Sequence, residues 1–436
     1  MKLGLVHLCV PLFLISCAAQ SVDAPEGDVP MVAVVEAAET DLATGAAPVH
    51  ARTPLGVALQ RAITEGPSLA AARAREAVSV AAVTEAEGAW RPSISAGIDA
   101  GVSTASDPSL VPVLRLSQQI FDGGVSEKEA AAARVRVAQA QAETRAQLAR
   151  RALAAIRAWE ELYLARGLLT IAAEADARNQ RFADQIALRL RAGVGRNADM
   201  LRVASRRAEA TALLASAQGR VRAAETRIIE LFDVPLDPAP LPLAPPPITG
   251  IDRNPALIAL EAQERAARRA RDAVIASRMP SVFLDVTARA PQNSDASVGA
   301  GLRLGYDFGT DGQRSAALAS AEAQVAQAVA DRELMARDLT RALADAQDRS
   351  ATLTAELAAA RNAAETSAAA LADAEAQFAG GRVDILDLLE LGSDVERTAA
   401  RAQELASDAR IAGYVVLYLT GELLEVFGIC AEGCPA

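Results

Sequence analysis

Aromatic side chains are scarce in this chain: Phe, Trp and Tyr together make up 3% of its 436 residues. A bulky globular core is therefore not expected. Histidine occurs twice, at His7 and His50, and cysteine four times, at Cys9, Cys17, Cys430 and Cys434. That leaves little material for histidine general-base chemistry or a His/Cys metal centre, and no glycine-rich phosphate cradle is evident. The composition argues against an enzyme, and it implies no cofactor and no metal. After residue 17 no stretch is long and apolar enough for a transmembrane helix. Any membrane crossing must then use strands. Basic residues number 44 against 55 acidic ones, a net charge of −11. Nucleic acid is accordingly not an expected partner.

What the chain does have is alanine, which lifts the hydrophobic fraction to 51% despite the missing aromatics. Alanine is the best helix former and adds little volume. Long helices in close contact are the expected outcome.

The first residues are MKLGLVHLCVPLFLISC. Leu3 to Ile15 is too short to span a bilayer and reads as the apolar region of a secretory signal, residues 1–16. Leu14-Ile15-Ser16-Cys17 resembles the bacterial lipoprotein box, which implies lipidation of Cys17 and anchoring in the outer-membrane lipid. The alternative is an ordinary cleaved signal with a chance cysteine. Residues 17–52 then form a flexible lipidated leader that includes His50. Cys430 and Cys434 remain in the tail, 428–436. A small disulfide loop, a metal fragment and two idle thiols are all compatible with their spacing.

Much of the remainder is said twice. Gly193, Asp199 and Leu201 return as Gly381, Asp387 and Leu389, an offset of 188 residues (381 − 193). The same offset relates Pro67 to Pro255, Pro92 to Pro280 and Leu114-Arg115-Leu116 to Leu302-Arg303-Leu304. One structural unit used twice accounts for a constant offset of this kind. The copies span 53–232 and 252–427. Between them, residues 233–251 hold seven prolines and form an extended connector.

Each copy opens with helical spacing and then alternates strictly. Ile94, Ala96, Ile98, Ala100 and Val102 oppose Ser93, Ser95, Gly97, Asp99 and Gly101. Val282, Leu284, Val286, Ala288 and Ala290 oppose a mixed, more polar face, and each copy has a second strand of the same kind. Period-two alternation predicts two hairpins of strands about ten residues long, enough to cross a bilayer when tilted. Four strands cannot enclose water alone, so several chains must contribute to one barrel. After each hairpin, proline-free helical stretches run from Glu127 to Arg191 and from Arg314 to Phe378, each about 100 Å long at 1.5 Å per residue. Helices return from Asp199 to Phe232 and from Asp387 to Phe427. The glycine motifs, with Gly193, Gly195, Gly380 and Gly381, are the turns between them.

The order of these features resembles the TolC/OprM family of outer-membrane efflux proteins, on its lipoprotein branch. The T53-PLGVALQRAITEGPSLAAARA74 opening, the F121-DGG124 turn and the two Gly-x5-Asp-x-Leu turns carry the resemblance. It implies an α+β membrane protein: a long α-helical coiled-coil tunnel with four transmembrane strands per chain, completed as a twelve-stranded barrel in a homotrimer. It also implies an exit duct for efflux or type I secretion, working with a periplasmic adaptor protein and an inner-membrane pump. The turns would line the closed periplasmic end. Asp387 and Glu390 occupy the positions where the family narrows this end with acids, with Asp384 beside them. Arg382, Arg196 and Arg202 are basic partners. The alternative readings are solvated helix ends for the charges and an N-cap for Asp199. For the whole chain, the alternative is a structural periplasmic coiled-coil lipoprotein without channel activity.

Overall fold

The computed structural model of the chain describes residues 48–429, apart from 65–66, 104–105, 249, 291–294, 307 and 309–310. The signal run, Cys17, Cys430 and Cys434 lie outside the described residues.

The fold is mostly helical with one small antiparallel sheet, and the sequence repeat is visible element by element. The first copy comprises α1 (Pro54–Thr64), α2 (Pro67–Glu87), β1 (Ser93–Ser103), β2 (Ser106–Phe121), α3 (Val125–Arg191) and α4 (Asn197–Phe232). The second comprises α5 (Pro255–Ala276), β3 (Ser281–Arg289), β4 (Ser297–Gly305), α6 (Asp311–Ala379) and α7 (Ile385–Thr420), followed by the short α8 (Leu423–Val426). α4 and α7 both have 36 residues and begin and end 188 positions apart. Prolines sit at the first helical position, where a missing N–H costs nothing. Asn254 caps α5 by accepting from the Ala256 N–H at 3.0 Å.

α4 lies along α3, α6 along α7, and α3 also meets α7. α2 and α5 pack on α3 towards the sheet, and α5 contacts α6 as well. The seams follow heptads: α4 buries Val203, Ala210, Ala217 and Ala224, seven residues apart. A strict seven-residue repeat is what a left-handed coiled coil requires. Alanine at these positions lets the helix axes approach closely.

Two large apolar cores punctuate the long helices, beside a smaller cluster of Leu257, Leu339 and Leu419. One lies midway and joins Leu55, Leu59 and Ile63 of α1 to Ile156 and Leu162 of α3, Ile228 of α4, and Tyr414 and Phe427. The other lies at the end away from the sheet and includes Phe182, Ile186, Val203, Phe378, Ile385 and Leu388.

The connector, residues 233–250, forms neither helix nor strand in its described part. Side chains of the middle core satisfy its backbone instead. Trp159 Nε1 donates to the Ala239 carbonyl at 2.7 Å, the Tyr414 hydroxyl to Pro242 at 3.0 Å and His50 Nε2 to Leu243 at 3.2 Å. Buried Glu422 accepts the Ile248 N–H at 3.0 Å. Such partners are what keep a buried irregular segment from carrying orphaned polar groups.

The structure departs from the sequence expectation in four places. His50 is 7% exposed and packs against the stacked Tyr414 and Phe427 rings, so it belongs to the core rather than to a flexible leader. The last long helix stops at Thr420, not Phe427, because Gly421 adopts φ +87° and the Glu422 N–H returns to the Leu417 carbonyl. That is a Schellman stop, and helical periodicity alone does not reveal it. β4 ends at Gly305, short of the alternation that continues to Phe308. β2 runs for 16 residues rather than about ten. Beyond Val113 it has outgrown β3 and pairs only with β1. Pro112 sits at this point with its carbonyl accepting from Ala290. Its ring nitrogen therefore faces the side where the ladder with β3 is ending, so the missing N–H interrupts no pairing with β1.

Candidate functional site: the open sheet and the helical tip

The sheet runs β1-β2-β3-β4, antiparallel throughout. β1 and β4 are its outer strands, and each has one partner within the chain. Alternation puts Ile94, Ile98, Leu114, Val298, Leu302 and Leu304 on one face, and each is 50–75% exposed. The opposite face carries ion pairs, Asp99 with Arg115 at 3.6 Å and Asp285 with Arg303 at 2.8 Å. In a half-buried soluble sheet the apolar face packs on a core. Here the apolar face is open.

The large aromatic side chains that are exposed among the described residues are Trp90, Phe121, Tyr306 and Phe308. All four lie at the ends of the strands nearest the long helices. The Tyr306 and Phe308 rings meet edge to face at 4.8 Å. A girdle of aromatics bordering an apolar band marks a membrane–water interface in barrel proteins. Among the described residues no helix is long and apolar enough to cross a membrane. No cluster of three or more His, Cys, Asp or Glu there could hold a metal.

The turn from β2 into α3 is built on Asp122, which accepts from the Gly124 N–H at 2.8 Å and the Ser126 N–H at 2.7 Å. Burial alone would raise its carboxyl. Hydrogen bonds from Ser126, Gly124 and Val125 outweigh that and hold it below the ordinary 3.8. Gly123 adopts φ +69°, and a Cβ there would lie 2.3 Å from Met279 Cβ, so the turn requires glycine.

At the far end the two opening motifs become matching stops. Gly193 (φ +73°) and Gly381 (φ +74°) follow α3 and α6. The Gly193 N–H bonds Leu190 and that of Val194 bonds Arg189, while Gly381 bonds Phe378 and Arg382 bonds Gln377. Both are Schellman motifs. Gly195 has a different reason to be small: a Cβ would lie 2.9 Å from the Leu190 nitrogen. Gly380 has no positive φ, and its counterpart 188 residues earlier is Ala192.

The acidic and basic tip residues fall into two groups. Arg196, Asp199 and Asp384 come together. Arg196 Nε bonds Asp199 at 2.9 Å, and its Nη2 reaches Asp384 at 3.1 Å. Both carboxylates hold the arginine pKa above its usual value. Arg196 and Asp384 occupy equivalent places in the two copies, the N-caps of α4 and α7. Asp384 caps its own helix through the Ile385 N–H at 2.7 Å, and Arg196 provides no side-chain cap. The capping aspartate is thus Asp384. Asp199 lies one turn inside α4, 7% exposed, with Oδ1 unpartnered. The second group is not brought together in one chain. Asp387, Glu390, Arg382 and Arg202 are all exposed at the tip.

Sequence reading missed three further arginines here. Arg189 Nη2 donates to the Phe378 carbonyl at 2.9 Å and lies 3.9 Å over the Phe378 ring. Arg178 Nη2 donates to the Gly392 carbonyl at 3.0 Å, and Arg206 bonds the Ser393 hydroxyl. Their acceptors are mostly backbone carbonyls, and nothing in a residue pattern marks those.

Residues 250–416 match the family model described as "Outer membrane efflux protein". Comparison with curated proteins returns no match. Among solved structures, the outer membrane protein VceC of Vibrio cholerae is similar with a TM-score of 0.79 at 17% identity, over 86% of this chain and 99% of that one. The CmeC outer membrane channel of Campylobacter jejuni gives 0.76 at 10%, over 85% and 86%. The open MtrE outer membrane channel of Neisseria gonorrhoeae gives 0.73 at 16%, over 85% and 90%. Most of the second repeat thus matches the outer membrane efflux protein model in sequence, and about 85% of the chain has the fold of the solved outer-membrane channels.

Proposed function

We propose that three copies of this chain form an exit duct through the outer membrane, for a tripartite efflux or type I secretion system. The open apolar face of the sheet, bordered by its aromatic girdle, carries this reading. Four strands leave two free edges, and three such sheets supply the twelve strands of a closed barrel. The ion-paired face then lines water, and the helices extend into the periplasm for about 100 Å.

Charge supports assembly head to tail. In the half away from the sheet, α4 and α6 are the lateral edges of the chain. α4 carries six arginines against four carboxylates, whereas the matching stretch of α6, residues 344–379, carries six carboxylates against two arginines. A ring of copies brings opposite charges together at every seam. Asp387 and Glu390 then form acidic rings at the tip that attract cations, with Asp384 adjoining. Arg382, Arg196 and Arg202 provide the basic counterparts. The tip meets a periplasmic adaptor protein linked to an inner-membrane pump, and lipid on Cys17 anchors the leader in the outer membrane.

The test is conductance of the purified protein in planar bilayers, alongside native mass measurement. Trimers that conduct support the duct. A monomer or dimer that never conducts would instead favour a structural coiled-coil lipoprotein.

A further inference from the structure

One turn of helix α7 near the tip is weak, and three observations converge on it. Gly392 lies inside the helix, where glycine is the poorest helix former after proline. The Ser393 hydroxyl bonds back to the Leu389 carbonyl at 3.0 Å, a contact that bends helices. Arg178 of α3 donates to the Gly392 carbonyl, competing for an acceptor the helix itself uses. Arg206 of α4 holds the adjacent Ser393. Glycine leaves room for Arg178: a Cβ at 392 would lie 3.3 Å from its Nε, close enough that the arginine would have to shift.

The repeat supplies an internal comparison. Positions 188 residues before Gly392 and Ser393 are Ala204 and Ser205. Positions 188 after Arg178 and Arg206 are Thr366 and Asp394. The fold therefore does not need glycine at this turn, since the equivalent helix α4 has alanine there, and the positions that would clamp α4 hold Thr and Asp instead of arginine. Of the two equivalent turns, only the one in α7 joins a glycine to an arginine clamp, and the clamp comes from the first copy. The segment beyond that turn, 385–391, carries Asp387 and Glu390.

We propose that Gly392–Ser393 is a hinge in α7, and that Arg178 and Arg206 are positioning residues that clamp it and so fix the tip acids. The proposal rests on the duct reading above. A bend of about 20° acting over the roughly 8 Å between Gly392 and Asp387 moves Asp387 by about 3 Å. Arg189 and Arg196 add two further links from the first hairpin to the second, at Phe378 and Asp384. The first hairpin thus acts as a frame against which the end of the second is held.

The experiment uses full-length protein with Cys430→Ser and Cys434→Ser, spin-labelled at Leu386→Cys below the hinge or at Arg397→Cys above it. Distances between copies are read by pulsed electron resonance, with conductance in parallel. Adding Arg178→Ala and Arg206→Ala should broaden the Leu386 distances by about 3 Å, the displacement expected from the bend. The Arg397 distances should stay unchanged and conductance should rise at least twofold. Gly392→Ala on the Arg178→Ala background should narrow the Leu386 distribution again, because it stiffens the turn without meeting the arginine. Equal movement at both positions, or movement at neither, overturns the hinge while leaving the duct intact. Unlabelled native protein that neither trimerises nor conducts sinks the duct reading, and the hinge with it.

Discussion

Removing Arg410 should expose how much the middle core depends on one buried charge. Glu160 is fully buried, and Arg410 donates to its Oε1 through Nε at 3.0 Å and through Nη2. Glu160 Oε2 accepts the Leu241 N–H of the connector at 3.4 Å. Arg410→Ala leaves that carboxylate buried and unpaired, which costs about 3–5 kcal/mol. An exposed pair would cost at most about 1 kcal/mol. Trp159, next in sequence, donates to the connector at Ala239. On a Trp90→Phe background its emission reports undocking of the connector during a urea titration. The deficit should also depend on pH. Burial already pushes the Glu160 carboxyl up, against the pull of Arg410. Without the arginine it rises further above its unfolded value, so stability is kept while Glu160 is protonated and lost as pH rises through the folded pKa. The variant should approach the parent in acid and fall behind it at neutral pH. Replacing both partners, Glu160→Leu with Arg410→Leu, should recover stability to within about 1 kcal/mol. A deficit for Arg410→Ala below about 1 kcal/mol, flat with pH, would refute the reasoning.

Asp122, whose folded carboxyl titrates below 3.8, stabilises the β2–α3 turn above that value and loses the contribution as pH falls through the folded pKa. Asp122→Asn should therefore flatten the loss of stability below about pH 4 in acid melts; an unchanged acid limb would count against it. Gly381→Ala should cost about 1 kcal/mol because of its positive φ, while Gly380→Ala should be neutral or better, as Ala192 is in the other copy. Chemical denaturation that ranks the two alike would contradict the Schellman assignment. Asp387→Ala with Glu390→Ala should raise single-channel conductance and weaken block by multivalent cations, and an unchanged trace would remove both acids from the gate. Cys17→Ser should abolish labelling with palmitate while trimers still form; persistent labelling would place the lipid elsewhere.

The internal repeat makes most of the fold legible in the sequence. The offset that joins Gly193 to Gly381 also joins the ends of α4 to those of α7 and the starts of β1 and β3. Alternation locates all four strands, because each face meets a different environment. The length of β2 is not legible, since it depends on where its partner strands end, and the helix stop at Gly421 escapes because helical periodicity does not register one glycine. For the tip, the residue types are visible in the sequence but their pairing is not. Arg196 and Asp384 stand 188 apart as equivalent positions, and only the packed hairpins turn that equivalence into a 3.1 Å ion pair. Arg178 meeting Gly392 is invisible, because the acceptor is a carbonyl that every residue has.

The equal reach of the two long helices limits how this chain can change length. α3 and α6 end at Arg191 and Ala379, again 188 apart, and their tips lock at one level. Deleting a single residue from α3 would turn everything beyond it by about 100° and draw it back about 1.5 Å. Val203 and its heptad partners would leave the seam, and Arg196 would miss Asp384. A shorter or longer duct is therefore reachable only by removing or adding whole heptads, from both copies at matched heights.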